Sequence, residues 1–425
     1  MHVLTQLIKE DMKPALGVTE PGAIAFAIST AKAHMKGDVR NVYLRLNSGM
    51  FKNAFTCGIP GSSEVGNYHV AALGAVAADP SKGLECLDGI TPEKAEKAKQ
   101  MVQQGRITVS MSEITSRIFI EARVVGEDSE AKVTIRDAHT NVVEITENGK
   151  VVFEKKQIAK EQKNDSYPIH KYTLVQIREY VNTVPLEEIL FIKDAYKLNW
   201  DLLQEGLHSA KTTYGPYLLA ANGGKLISKD EQKTASLFCN GAIEARVIGL
   251  SKPAMSIAGS GAHGIIATMP LYAAYKVTGY TEEDLLRATA LSYLVCMYIK
   301  EYSGKLSAFC GCAIAAGTGM ACGLVSLRGG TMEMMGKVIN NMASGITGMI
   351  CDGGNQGCTM KGVVAVDAGY ASVNMAMRGV YIYNAHGING ATPEETMRNM
   401  GLIASPGMVG TEKTIVEILE GKNPD

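Results

Sequence analysis

A surplus of charge of either sign is missing from this sequence of 425 residues, whose 42 basic and 43 acidic residues leave a net charge of -1. A broad basic field for nucleic acid or an anionic membrane is thereby excluded. Long hydrophobic runs are also missing, since no uninterrupted apolar stretch reaches the roughly 18 residues of a membrane span. The N-terminal residues M-H-V-L-T-Q-L-I-K-E-D-M-K carry charges within the first dozen positions and lack the apolar core and cleavage site of a signal peptide. A cytoplasmic protein is expected, with thiols kept reduced and with small molecules or further copies of itself as partners. A homo-oligomer is the expected assembly. No short-period repeat is found, and the chain is long enough to bury a sizeable core without disulfide staples.

Cysteine is present in nine copies, and five of them (Cys310, Cys312, Cys322, Cys351 and Cys358) fall within 49 residues rich in glycine and alanine. In an intracellular protein such a gathering points to a metal or iron–sulfur site before it points to disulfides. Buried cysteine also behaves as a small hydrophobe, a reading that suits Cys322, Cys296, Cys239 and Cys86. Cys351 and Cys358 differ because they bracket D-G-G-N-Q-G, which does not favour a continuous helix and lets the backbone fold around an inorganic centre. The paired C-x-x-C spacing of common zinc modules is absent, so a structural zinc site is the weaker metal reading.

Residues 21–36 are alanine-rich and follow a threonine, an acid and a proline, the marks of a helix start capped by Thr19. N-V-Y-L-R-L from Asn41 alternates like a strand and ends in a turn-rich stretch; residues 64–79 and 92–104 read as helices. Between Ile107 and Lys155 five short β-type runs separated by polar turns predict one antiparallel sheet. The charged residues 156–167 are the best linker, and the chain beyond them is predominantly helical. The expected class is α+β: a large helical domain carrying the cysteine cluster and a smaller antiparallel sheet-bearing unit. The corresponding segments are an N-terminal helix and strand region contributing to the active site (1–105), a β-rich unit with linker (106–167) and a helical iron–sulfur domain (168–425).

Five motifs then stand in order: A-L-G-V-T-E-P at 15–21, S-G-M-F-K-N followed by G-I-P-G at 48–61, S-I-A-G-S-G-A-H-G-I at 256–265, L-S-A-F-C-G-C-A-I-A-A-G at 306–317 and G-M-I-C-D-G-G-N-Q-G-C-T-M-K at 348–361. With these, the chain resembles the iron–sulfur-dependent serine dehydratase alpha-chain superfamily, and within it the branch that contains L-cysteine desulfidases. The resemblance implies a [4Fe-4S] cluster held by Cys312, Cys351 and Cys358, with Cys310 as the rival for the first position and one iron left without a protein thiolate. It also implies a pyridoxal-independent lyase acting on a small amino acid, L-cysteine first and L-serine next. A non-catalytic iron–sulfur or ligand-binding protein on the same scaffold is the alternative. Two positions depart from the family pattern: Val18 stands where a cysteine is usual, and Ala262 where an asparagine is usual.

Elimination needs a base for the α-proton, for which His263, Lys52 and Glu20 are the candidates, with Cys57 as a substitute for the missing thiol. Substrate donors are expected at Thr19, Ser48, Asn53, Ser260 and the backbone of Gly261. Gly259–Gly264 also satisfies G-x-G-x-x-G, but no βαβ context is predicted around it, so the reading preferred is a substrate-binding turn.

Overall fold

The computed structural model describes residues 1–155, 168–304 and 306–422. The expected linker, residues 156–167, lies outside the described residues.

Alternation of apolar and polar side chains makes the strands. Val42, Leu44 and Leu46 of β2 (Asn41–Leu46) are buried while Tyr43 and Arg45 face solvent. The same period governs β4 (Phe119–Val125) and β5 (Glu130–Arg136), which bury Ile120, Ala122 and Val124 and Ala131, Val133 and Ile135. With β3 (Ile107–Met111), β6 (Val142–Glu147) and β7 (Lys150–Glu154) they form a six-stranded sheet in the order β3-β2-β4-β5-β6-β7. Helix Thr19–Ala33 packs against β4 and β5 and covers that apolar face.

The sheet is larger and less regular than five consecutive hairpin strands would make it. Strand β2 inserts between β3 and β4, pairing parallel with the first and antiparallel with the second. Local sequence carries no mark of this, because the pairing is between segments about sixty residues apart or more. The N-terminal segment is thus tied to the β-rich one by backbone hydrogen bonds.

The rest is a helical body, an α+β arrangement. Helices Glu231–Val247, Gly261–Thr278 and Glu282–Ser303 are buried around most of their circumference and form its centre. Such all-round apolar helices are stable only inside a core, where each fully buried Leu or Ile contributes about 1.5–3 kcal/mol. A second, two-stranded antiparallel sheet pairs β1 (Lys13–Leu16) with β8 (Pro253–Ser256). It fastens the chain just before helix Thr19–Ala33 to the chain just before helix Gly261–Thr278, so two helix starts distant in sequence lie side by side. Helix Gly261–Thr278 then turns back tightly on β8: a Cβ on Gly264 would lie 1.9 Å from the Met255 carbonyl oxygen. Strand, turn and helix do follow one another here, but the strand pairs antiparallel in a two-stranded ribbon, which is not the parallel βαβ setting of a dinucleotide site. Among the described residues no helix is long and apolar enough to cross a membrane.

Candidate active site

One cavity gathers residues from eight separate segments. Val18 and Glu20 come from the start of helix Thr19–Ala33, Asn53 from the end of the short helix Ser48–Asn53, and Ser260, Ala262 and His263 from the start of helix Gly261–Thr278. Arg246 and Lys300 come from the ends of the buried helices Glu231–Val247 and Glu282–Ser303. The thiol side holds Cys312 at the head of a π-helical turn (Cys312–Ala316), Cys351 in an irregular loop, and Cys358 in the first turn of helix Gly357–Ala376. The sheet reaches the same space through His139, beyond β5. The volume is about 680 Å³ including the mouth.

The thiol wall is built by short-range ties. An antiparallel bridge between Phe309 and Ile350 aligns the two cysteine segments, with Cys310 N–H donating to Met349 O at 3.0 Å and Cys351 N–H to Ala308 O at 2.6 Å. The loop after Cys351 is pinned by Gly354 N–H on Asn53 O at 3.1 Å, and Asn355 accepts from Gly357 N–H at 2.8 Å to start the next helix. Beneath the loop, the Lys52 ammonium donates to Cys351 O at 2.9 Å and Ser307 O at 3.0 Å, and pairs with Glu412 at 2.6 Å.

The thiols sense one another. Burial, then the thiolates of Cys358 and Cys351, push the Cys312 thiol up to about 12. Burial followed by the thiolate of Cys351 raises Cys358. Cys310 is raised well above the usual thiol value by burial and by all three of the others. In contrast, Cys322, in helix Gly317–Leu327, is raised by burial alone and does not line the cavity. Cys312 and Cys358, raised in this way, hold their protons until a metal arrives to replace them.

Among the described residues no three His, Cys, Asp or Glu side chains are drawn together at the spacing of a single metal ion. A mononuclear site of the zinc type is therefore not preformed. A cuboidal cluster holds its thiolates farther apart than one ion does, and three thiols on one wall of a roomy cavity, beside the side-chain-free backbone of Gly353 and Gly354, suit such a group.

Seven of the residues singled out from sequence line this cavity: Glu20, Asn53, Ser260, His263, Cys312, Cys351 and Cys358. Asn53 donates to Glu20 at 2.8 Å, and Ser260 Oγ lies 3.9 Å from Cys312 Sγ. His263 is buried, and burial, then the charges of Lys300 and Arg246, hold it well below the usual histidine value, while the backbone of Ile257 and Ala258 acts in the other direction. A histidine held down in this way favours the neutral imidazole.

The others are placed elsewhere. Lys52 is 1% exposed and engaged on three sides, so it ties the Cys351 loop down and does not face substrate as a base. Ser48 exchanges hydrogen bonds with the backbone of Thr115. Thr19 is not a helix cap: the helix begins one residue earlier than a capping threonine requires, Val18 holds the N-cap, and Thr19 Oγ1 is buried without a partner. Cys57 is fully buried, with its thiol on Ala54 O and its pKa raised by burial and by Glu20, so it does not replace the absent family cysteine. Gly261 lies behind the lining, against Arg246. Cys310 is buried off the cavity, which Cys312 lines.

Arg246 and Lys300 were not singled out from sequence. Each is a cation close to an acid, Glu244 or Glu301, within a mostly apolar run, I-E-A-R-V-I-G-L and V-C-M-Y-I-K-E-Y. Val18 sits on the thiol wall: a Cβ on Gly354 would lie 2.8 Å from one of its methyl groups, so the position of the usual cysteine is apolar here.

The serine dehydratase alpha chain family profile matches residues 81–417. The chain belongs to this family. Full-length relatives include the UPF0597 protein of Clostridium botulinum strain Langeland, 40% identical over 424 residues with 98% of both chains covered. Those of Caldanaerobacter subterraneus subsp. tengcongensis and Methanocella arvoryzae are 34% and 33% identical, again over 98% or more of each chain. The family match spans strands β3 to β7 and the thiol wall, but begins after β2 and the segments that carry Val18, Glu20 and Asn53.

Proposed function

We propose that this protein is an iron–sulfur-dependent, pyridoxal-independent lyase that eliminates the β-substituent of a small amino acid, converting L-cysteine to pyruvate, ammonia and sulfide, with L-serine as the alternative substrate of the same chemistry. The observation that carries the reading is the single cavity in which Cys312, Cys351 and Cys358 face Glu20, Asn53, Ser260 and His263. Family membership supports it independently.

In this reading the three cysteines hold a [4Fe-4S] cluster, which when bound supplies a Lewis-acidic iron for the departing β-substituent. The chain's own groups do the rest. His263, on the cavity lining and favoured as the neutral imidazole, accepts the α-proton as the bond from Cβ to the leaving atom breaks. Glu20, oriented by Asn53 Nδ2, is the one carboxylate on the cavity lining and suits the substrate ammonium. The enamine product tautomerises to an imine, which water hydrolyses to pyruvate and ammonia.

Val18 gives a specific ground for a second reading, a protein that holds cluster and ligand without turnover, because the cavity lacks the thiol found at that position in the family pattern. Anaerobic purification, iron and sulfide analysis, and assays of ammonia and pyruvate from L-cysteine and L-serine decide between them. About four irons and four sulfides per chain, with ammonia released, are expected, and Cys351→Ala should lose both. A fully loaded cluster without ammonia release from any small amino acid favours the second reading. Zinc in place of iron after anaerobic purification refutes both.

A further inference from the structure

Arg246 is a buried cation. It is 4% exposed, near the end of a helix in which every residue from Thr234 to Val247 is buried, and its Nε has no hydrogen-bond partner. It lines the cavity. A guanidinium removed from water with an unsatisfied N–H is an arrangement that calls for an anion.

Its surroundings call for one too. A Cβ on Gly261 would lie 2.6 Å from Arg246 Nε, so the absence of a side chain there lets the guanidinium lie against the start of helix Gly261–Thr278. That start has no side-chain cap, because the N-cap residue Ser260 makes no hydrogen bond to the first turn. Open amides and the positive end of an 18-residue helix favour negative charge. Lys300, 6% exposed, lines the same space. Among the described residues Glu20 is the one carboxylate on the lining, and Asn53 already engages it.

We propose that Arg246, together with the open start of helix Gly261–Thr278, forms the subsite for the substrate's α-carboxylate. The proposal rests on the lyase reading for the identity of the ligand as an amino acid. A planar carboxylate matches the fork of a guanidinium. The position also has the right neighbours: Ser260 Oγ, at the helix start, is 3.9 Å from Cys312 Sγ, so a carboxylate held there directs the other end of a small amino acid toward the thiol wall. The subsite selects free α-amino acids and excludes peptides and amides joined through that carboxyl group.

L-Alanine has no β-substituent to eliminate, so its binding is measured without turnover. Calorimetry on the anaerobically prepared, cluster-loaded protein should find L-alanine bound about 10- to 100-fold more tightly than L-alaninamide. Arg246→Gln should weaken L-alanine by about that factor and leave L-alaninamide unchanged, while Arg246→Lys should recover part of the preference. Equal binding of the two ligands by the native protein, or binding of neither, overturns the proposal. So does Arg246→Gln that retains the preference, including one that alters only iron content or the cluster spectrum, which would make Arg246 a counter-charge to the thiolates. Should Arg246→Gln fail to fold, the native preference and the Arg246→Lys variant carry the test. Failure of the lyase reading looks different: an Arg246-dependent preference for L-alanine without ammonia release from any amino acid leaves the subsite standing and removes the activity. Ammonia release with a KM unaffected at Arg246 does the reverse.

Discussion

Replacing Lys52 by methionine keeps the length and apolar stem of the side chain and removes only its charge. In the fold that charge holds three chain segments together: the ammonium meets Ser307 O at 3.0 Å, Cys351 O at 2.9 Å and the Glu412 carboxylate at 2.6 Å. Lys52 is 1% and Glu412 4% exposed, and Glu412 Oε1 already lacks a partner. Lys52→Met therefore strands a buried carboxylate, a change that costs about 3–5 kcal/mol. It also orphans two carbonyl groups that hold the cysteine loop. Removing both charges, as Lys52→Met with Glu412→Leu, should recover most of the loss, since an apolar pair of similar volume is about as stable as a buried ion pair. Urea denaturation of the four proteins of this double-mutant cycle, matched for iron content, measures both quantities. The reasoning fails if Lys52→Met costs less than about 1 kcal/mol, or if the double variant is no more stable than the single one.

Val18→Cys places a thiol on the lining beside Gly354 at little cost in packing, and should raise kcat/KM for L-cysteine relative to L-serine by about 10²–10⁴; an unchanged ratio means the position does not govern substrate choice. His263 predicts a pH dependence of stability: its folded pKa is depressed, so below the ordinary value of 6.5 the unfolded chain takes up a proton that the folded chain refuses. Stability from this residue is fully present above 6.5 and falls by up to about 1.4 kcal/mol per pH unit as pH drops toward the folded value. His263→Gln should flatten the melting-temperature profile between about pH 6.5 and 5.5, and an unaltered slope would show the histidine to be protonated in the fold.

The motifs were legible because their chemistry is local. Two thiols around a glycine-rich turn, a serine and histidine at a helix start, and an acid beside a proline can each be read from a few consecutive residues, as can the alternation in β4 and β5. Lys52 shows where that ends. In sequence it is a polar residue after a strand; in the fold it lies under the Cys351 loop because Glu412, 360 residues away, neutralises it. Thr19 resembled a cap because the residues after it are helical, and only the backbone course of β1 makes Val18 the N-cap.

By itself the sequence determined the α+β class, the near-neutral charge, the helical body and the gathering of cysteines late in the chain, since each follows from composition or from periods of two to four residues. Tertiary structure alone decided which of these share a space. Pairing of β1 with β8 brings two helix starts together, and the bridge from Phe309 to Ile350 aligns the cysteine segments. Arg246 and Lys300, on two different helices, both line one cavity. Long-range pairing and burial of charge depend on which segments meet, and that is fixed by packing over the whole chain.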